Sequence, residues 1–96
     1  MSLDIIKHYP VMLNEVTRYI QDNQTILDCT FGGGSYSNEI LKKFKNNYVV
    51  AVDRDKNVIQ FADSISKKYI NRFSFNNITF SNIKDLKEFK DIDYFI

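Results

Sequence analysis

The sequence has little cysteine, proline or tryptophan: of its 96 residues, one is cysteine, one is proline and none is tryptophan. The single cysteine, Cys29, cannot form an internal disulfide or a zinc site, and it indicates a reducing, cytosolic compartment. A formal net charge of +1 excludes a strong electrostatic footprint for nucleic acid or a membrane surface. No apolar run approaches the roughly 18–20 residues of a membrane-spanning helix, and the first residues lack the basic and apolar regions of a signal peptide. We therefore expect a cytoplasmic protein without a membrane segment.

The composition is that of a small globular domain. Apolar residues make up 44 % of the chain and charged residues 26 %, which argues against disorder. A chain of this length forms one domain at most, and it buries only about 60–65 % of its unfolded surface, so its core is thin. We find no internal repeat and no linker.

Hydrophobic periodicity predicts a helix over 11–21, followed by strands that alternate with helices. The predicted strands are 25–30, 48–52 and 72–80, the predicted helices are 37–45, 56–69 and 82–90, and residues 92–96 resemble the start of a fourth strand. The run over 48–52 is continuously apolar, as in a parallel strand buried on both faces. Ser37 and Asp55 are candidate N-caps for the helices that follow them. The order predicts an α/β fold with a parallel sheet covered by helices.

The only glycines of the chain follow the first predicted strand, where Asp28, Thr30, Gly32 and Gly34 fall at alternate positions. Glycines between a strand and a helix let backbone N–H groups approach a ligand at the helix N-terminus. The dinucleotide pattern G-x-G-x-x-G is not completed, because position 37 is serine. A tight turn without a ligand is the alternative, although three consecutive glycines are a costly way to build one.

Asp53 ends the second predicted strand, about 20 residues after the glycines, where an acidic residue commonly binds ribose. A carboxylate suits this task because it can accept two hydrogen bonds from a vicinal diol. The alternative is an aspartate that caps the next helix or closes a turn. With Asp55 available as the cap, the glycine loop and Asp53 together favour ribose binding.

Three segments of the sequence carry a family resemblance: H-Y-P-V-M-L-N-E over 8–15, D-C-T-F-G-G-G-S-Y-S over 28–37 and A-V-D-R-D over 51–55, followed by Arg72-Phe73 and Phe80-Ser81-Asn82. Together they resemble the N-terminal part of the bacterial small-subunit (16S) ribosomal RNA (cytosine-N4)-methyltransferases, the MraW or RsmH family. The loop is similar to the D-x-G-x-G-x-G loop of S-adenosylmethionine-dependent methyltransferases, with Thr30 at the first glycine position.

The resemblance implies a Rossmann-like class I methyltransferase fold, present here as one incomplete domain over 1–96 with the β-α-β-α-β part only. It implies S-adenosyl-L-methionine as cofactor and 16S ribosomal RNA in the small ribosomal subunit as substrate. The helical RNA-binding insertion and the C-terminal strands of the family are expected beyond residue 96. The implied cofactor contacts are Gly34, Ser35 and Tyr36 in the loop, Asp53 at the ribose and Phe80 near the adenine. Without the resemblance, Phe80 would be assigned to the core.

No catalytic residue and no metal ligand is assigned. A lone histidine such as His8 is more often structural, and Cys29 inside a strand is most simply buried packing. The chain stops where the fourth strand begins, so we expect Thr25–Thr30 to form an open apolar edge and the chain to be marginally stable or to self-associate. Two alternatives stay open: a non-catalytic module that completes its sheet with a partner chain, and a fragment of a dinucleotide-binding oxidoreductase, against which Thr30 and Ser37 weigh.

Overall fold

A computed structural model of the chain describes residues 17–96, which form a four-stranded parallel sheet of order β3-β2-β1-β4 with two α-helices. The strands are β1 (Thr25–Asp28), β2 (Tyr48–Val52), β3 (Phe73–Asn76) and β4 (Tyr94–Phe95); the helices are α1 (Ser35–Lys43) and α2 (Ile59–Lys68). The helix predicted over 11–21 lies mostly outside the described residues. The predicted α/β fold with a parallel sheet is confirmed.

The apolar run of β2 divides its side chains between two cores, one on each face of the sheet. Val49 and Ala51 belong to the larger core with Phe31, whereas Val50 and Val52 belong to the smaller one. All four of these β2 residues are buried. Because both faces are covered, the strand needs no polar alternation, as its sequence predicts.

The N-cap of helix α1 is a glycine rather than the predicted Ser37. Gly34 is the N-cap residue, in a left-handed conformation with φ 92°, and it provides no side-chain cap. The prediction that Ser37 caps this helix is wrong, because Ser37 lies within the first turn and is fully buried. Asp55 does act as a cap: its side chain accepts a hydrogen bond from the Asn57 N–H at 2.9 Å, at the start of the 3₁₀ turn Lys56–Val58 that leads into α2.

The segment after β3 has no α-helix, so the helix predicted over 82–90 is wrong. Two 3₁₀ turns, Phe80–Asp85 and Phe89–Asp91, take its place. The apolar side chains of Ile83, Leu86 and Phe89 all pack on the smaller core. They are spaced three residues apart, which matches the three residues per turn of a 3₁₀ helix. The short segment therefore buries its apolar face without the 3.6-residue period.

The strand β1 lies inside the sheet, so the prediction of an open edge along Thr25–Thr30 is wrong. Ile26 pairs with Tyr94 and Leu27 with Phe95, and the Ile96 N–H donates to the Leu27 carbonyl at 2.9 Å. The last residues of the chain thus form enough of β4 to cover β1. None of the helices within 17–96 is long and apolar enough to cross a membrane.

Candidate functional site

A cavity of about 430 Å³ opens at the carboxyl edge of the sheet. Cys29 lines it from the end of β1, Asp53 and Arg54 from the end of β2, and Thr79 and Phe80 from the segment after β3. Ligands of open parallel sheets bind at this edge, and the volume lies within the roughly 300–1,000 Å³ typical of ligand pockets. The cavity is therefore the first candidate for a binding site.

The carboxylate of Asp53 links the cavity to the glycine loop. Its Oδ2 accepts a hydrogen bond from the Gly32 N–H at 3.0 Å, and its Oδ1 accepts one from the Asp55 N–H at 2.9 Å. Each carboxylate oxygen can accept two hydrogen bonds, so both oxygens keep capacity for a ligand. The Asn77 side chain donates to the backbone carbonyl of Asp53 at 2.9 Å and so fixes the end of β2 against the segment after β3.

The three glycines of the loop differ in how strongly the fold requires them. Gly32 and Gly34 have φ values of 50° and 92°, which disfavour any residue with a Cβ. A Cβ on Gly34 would also lie 2.7 Å from Ile65 Cδ1 and 3.3 Å from Phe31 Cζ. At Gly33, by contrast, no atom of the described residues lies within 4 Å of a Cβ position. The space beside Gly33 is open to a ligand.

Asp28 holds the two ends of the loop. Its Oδ1 accepts hydrogen bonds from the Thr30 N–H at 2.9 Å and the Thr30 hydroxyl at 3.0 Å, and its Oδ2 accepts one from the Ser37 hydroxyl at 2.7 Å. Burial raises the pKa of the Asp28 carboxyl, and the hydrogen bonds from Ser37 and Thr30 oppose that shift. From the sequence alone, Asp28 belongs to the loop pattern without a predicted role. The sequence features that pair in the structure are an aspartate before the glycines and a serine just after them.

Two of the five predicted site residues meet in the cavity. Asp53 and Phe80 both line it, and the Phe80 side chain is 65 % exposed. The alternative that assigns Phe80 to the core is therefore wrong. Sequence reasoning missed Arg54 and Thr79, which line the same cavity beside the predicted residues.

The other three predicted residues face separate depressions. Gly34 and Ser35 line one of about 270 Å³ between the start of α1 and Phe61 of α2. Tyr36 lines another, of about 320 Å³, beside β4. The structure thus arranges the predicted residues around the loop, on different sides of it.

Cys29 differs from its predicted role, since it is only partly buried and forms part of the cavity wall. Burial, together with the neighbouring Asp28 carboxylate, raises the pKa of its thiol. A thiol with a raised pKa is a poor nucleophile.

Within residues 17–96, no three His, Cys, Asp or Glu side chains are grouped as metal ligands. What the site offers is a carboxylate, an exposed aromatic ring and a glycine loop, a combination suited to binding.

Comparison with known families identifies relatives over nearly the whole chain. A model described as the MraW methylase family matches residues 5–95. The chain is 48 % identical over 86 residues to ribosomal RNA small subunit methyltransferase H of Rickettsia canadensis (strain McKiel), and 47 % identical over 75 residues to that of Orientia tsutsugamushi (strain Boryong). These alignments cover 86 % and 76 % of this chain but 28 % and 24 % of those proteins, so the chain spans about a quarter of their length.

Two of the solved structures that share this fold are methyltransferases. Coclaurine N-methyltransferase bound to N-methylheliamine and SAH superposes with a TM-score of 0.67 at 23 % identity, over 81 % of this chain and 23 % of that one. Precorrin-6y C5,15-methyltransferase from Geobacter metallireducens GS-15 gives 0.69 at 20 % identity, over 90 % and 47 %. These likenesses confirm the predicted Rossmann-like methyltransferase fold.

Proposed function

The chain belongs to the MraW methylase family, and on this premise we propose that it binds S-adenosyl-L-methionine as part of a methyltransferase that acts on small-subunit ribosomal RNA. The observation that supports cofactor binding most directly is the position of Asp53 and Phe80 on one cavity at the carboxyl edge of the sheet. Asp53 also accepts a hydrogen bond from Gly32, so the same carboxylate reaches the cavity and the glycine loop.

The cavity fits the adenosine half of this cofactor. Asp53 would accept hydrogen bonds from the ribose hydroxyls, because both of its carboxylate oxygens keep accepting capacity beyond their backbone partners. Phe80 would lie against the adenine, since a flat apolar ring suits the face of a purine. The exposure of the Phe80 ring supports this assignment, because a ligand that covers it removes apolar surface from water.

The loop suits the methionine half. We propose that Gly34, Ser35 and Tyr36 contact it, as the family resemblance implies, with Gly33 leaving space for its approach. The helix α1 has no acidic residue in its first turn, and its N-cap residue, Gly34, has no side chain to cap it. Its N-terminal N–H groups and positive dipole end therefore favour a carboxylate such as that of the methionine moiety.

S-adenosyl-L-methionine would supply an activated methyl group at its sulfonium centre. The residues of this chain would bind the cofactor and fix its orientation. Holding a reactant in the correct orientation lowers the barrier to methyl transfer. We propose the exocyclic N4 amine of a cytosine in 16S ribosomal RNA as the methyl acceptor, and the cytoplasm as the compartment. No residue of this chain is assigned to the methyl-transfer step itself.

Calorimetric titration with S-adenosyl-L-homocysteine (SAH) tests the proposal. Asp53→Asn is expected to raise the Kd at least tenfold, since it replaces a diol-binding carboxylate by an amide and so removes about 1.4 kcal/mol of binding free energy. The matched control is Asp63→Asn, which makes the same change at an exposed position of α2. Equal affinity in the two variants would contradict the ribose role, and tighter binding of NAD than of SAH would revive the oxidoreductase alternative.

We propose, as a second candidate function, a binding module that extends its sheet with a strand of a partner chain. Because β1 is paired on both sides, such a chain would pair with the outer edge of β3 or β4. Size-exclusion chromatography with light scattering checks this, and a monomer that binds SAH without a second polypeptide would speak against it.

A further inference from the structure

A fully buried hydrogen bond between Ser37 and Asp28 joins the first turn of α1 to the end of β1. The Ser37 hydroxyl donates to Asp28 Oδ2 at 2.7 Å, and neither side chain is exposed to solvent. Ser37 lines none of the depressions described above. It therefore cannot contact a ligand in them directly, and its effect on a ligand must pass through Asp28.

Ser37 lies in the first turn of α1, and its hydroxyl donates to a group outside the helix. A helical serine commonly faces solvent or donates to a carbonyl of the preceding turn. Ser37 instead donates to a carboxylate outside its helix. Burying a hydroxyl is costly unless it is hydrogen-bonded. Asp28 removes this cost for Ser37 by accepting its hydrogen bond.

Asp28 divides its two oxygens between the two ends of the glycine loop. Oδ1 accepts from the N–H and the hydroxyl of Thr30, where the chain leaves β1, and Oδ2 accepts from Ser37, where the chain has entered α1. One buried carboxylate thus fixes both ends of the segment 31–36. Within that segment a turn closes through the Gly34 N–H, which donates to the Phe31 carbonyl at 2.7 Å.

We propose that Ser37 is a positioning residue for cofactor binding: by its hydrogen bond to Asp28 it sets the conformation in which the loop 31–36 presents its backbone N–H groups to the ligand. The inference rests on the proposed function for the identity of the ligand. Its structural half, that Ser37 determines the conformation of the loop, is independent of any ligand.

The experiment compares three variants of the chain. Ser37→Ala removes the hydroxyl, Ser66→Ala makes the same change at an exposed position of α2, and Val49→Ala shortens a buried side chain in the middle of the sheet. Each is examined by ¹H–¹⁵N correlation spectra, by urea unfolding and by titration with SAH. Val49→Ala separates a general loss of stability from a specific effect on the loop.

We expect Ser37→Ala to remain folded, to shift the amide signals of Gly32, Gly33 and Ser35 in the free chain, and to weaken SAH binding about tenfold, which is about 1.4 kcal/mol. Ser66→Ala should leave the loop amides and the Kd unchanged. Val49→Ala should lower the urea midpoint and still bind SAH within twofold of the unsubstituted chain, because the loop is intact in its folded fraction.

Three results overturn the proposal: unshifted loop amides in Ser37→Ala, an unchanged Kd in Ser37→Ala, or equal weakening of SAH binding by Ser37→Ala and Val49→Ala. If Ser37→Ala does not fold, Ser37→Cys, which keeps a weaker donor of similar size, replaces it with the same expectations. If the unsubstituted chain binds no SAH, the proposed function fails. The amide shifts then decide alone whether Ser37 sets the loop, so the two failures are distinguishable.

Discussion

Thr25 and Asp93 exchange two hydrogen bonds across the junction of β1 and β4. The Asp93 N–H donates to the Thr25 carbonyl at 2.8 Å, and the Thr25 N–H donates to Asp93 Oδ2 at 2.8 Å. The side chain of Asp93 thus extends the ladder by one bond beyond the pairs Ile26–Tyr94 and Leu27–Phe95. This contact adds to the backbone hydrogen bonds of Ile96 with Leu27 and Cys29 in holding the two-residue strand.

Replacing Asp93 should therefore loosen β4. Asp93→Ala removes the acceptor of the Thr25 N–H, and we expect the free energy of unfolding to fall by about 0.5–1.5 kcal/mol, the usual net contribution of one hydrogen bond. Asp93→Asn keeps an acceptor oxygen and is the control, with less than half of that loss. Urea unfolding measures both variants, and an Asp93→Ala protein as stable as the unsubstituted chain would contradict the role of this contact.

Alanine at Gly34 should destabilise the chain, whereas alanine at Gly33 should leave its stability almost unchanged. Gly34→Ala places a Cβ 2.7 Å from Ile65 Cδ1 on a backbone with φ 92°, and we expect a loss of about 2–4 kcal/mol from left-handed strain and overpacking together. Gly33→Ala meets no atom of the described residues, so the unfolding free energy should change by less than about 0.5 kcal/mol.

The same pair of variants also tests ligand approach. If a ligand occupies the space beside Gly33, Gly33→Ala weakens SAH binding although it leaves stability intact. Urea unfolding and calorimetric titration of both variants provide the two measurements. A Gly33→Ala chain with unchanged SAH affinity would show that the ligand does not use this space.

Stability should depend on pH through Asp28. Burial raises the pKa of this carboxyl above its ordinary value of 3.8 in the folded chain. The folded state therefore holds the proton more tightly than the unfolded state, and the contribution of Asp28 to stability is greatest below the unfolded pKa and is lost as the pH rises through the folded pKa. Asp28→Asn has no such titration and keeps an acceptor for Thr30.

The measurement is the urea midpoint of the unsubstituted chain and of Asp28→Asn from pH 3.5 to 7. Hydrogen bonds from Asn46 lower the pKa of Asp22, so its contribution to stability increases as the pH rises. This contribution is the same in both proteins and cancels in the comparison. We expect the stability of the unsubstituted chain relative to Asp28→Asn to decrease as the pH rises. A difference that is constant with pH would contradict the raised pKa of Asp28.

Phe80→Ala should separate binding from folding. The ring is 65 % exposed, so its removal should alter the unfolding free energy by less than about 0.5 kcal/mol. Stacking of an aromatic ring on a base provides about 1–3 kcal/mol, so we expect SAH binding to weaken at least fivefold. Ile70→Ala, at a 71 % exposed side chain, is the control with unchanged affinity. Similar SAH affinities in the two variants would exclude Phe80 from the site.

The arrangement of the sheet could be predicted because its causes are local. A run of β-branched residues over 48–52 has no polar face, so burial on both sides and parallel pairing follow. The segment 82–90 could not be assigned in the same way. Over so few residues, apolar side chains at every third position fit a helix of 3.6 residues per turn almost as well as one of three, and packing against Val50 and Val52 decides between them.

The site could be predicted in part for the same reason. Asp53 and Phe80 meet because the carboxyl ends of adjacent parallel strands lie at one edge, which the order of elements already determines. The role of Asp28 and Ser37 could not be predicted. It depends on α1 beginning at the left-handed Gly34, and Gly34 is constrained by a side chain of α2 that lies far away in the sequence.

The contact between Gly34 and Ile65 also limits the order in which substitutions can accumulate in this chain. Residue 65 can become smaller first, at the cost of a cavity. A smaller residue 65 removes the closest contact that a Cβ at position 34 would make, whereas the φ of 92° at position 34 continues to favour glycine. The two positions are therefore coupled: a side chain at residue 34 is less costly after residue 65 has become smaller than before.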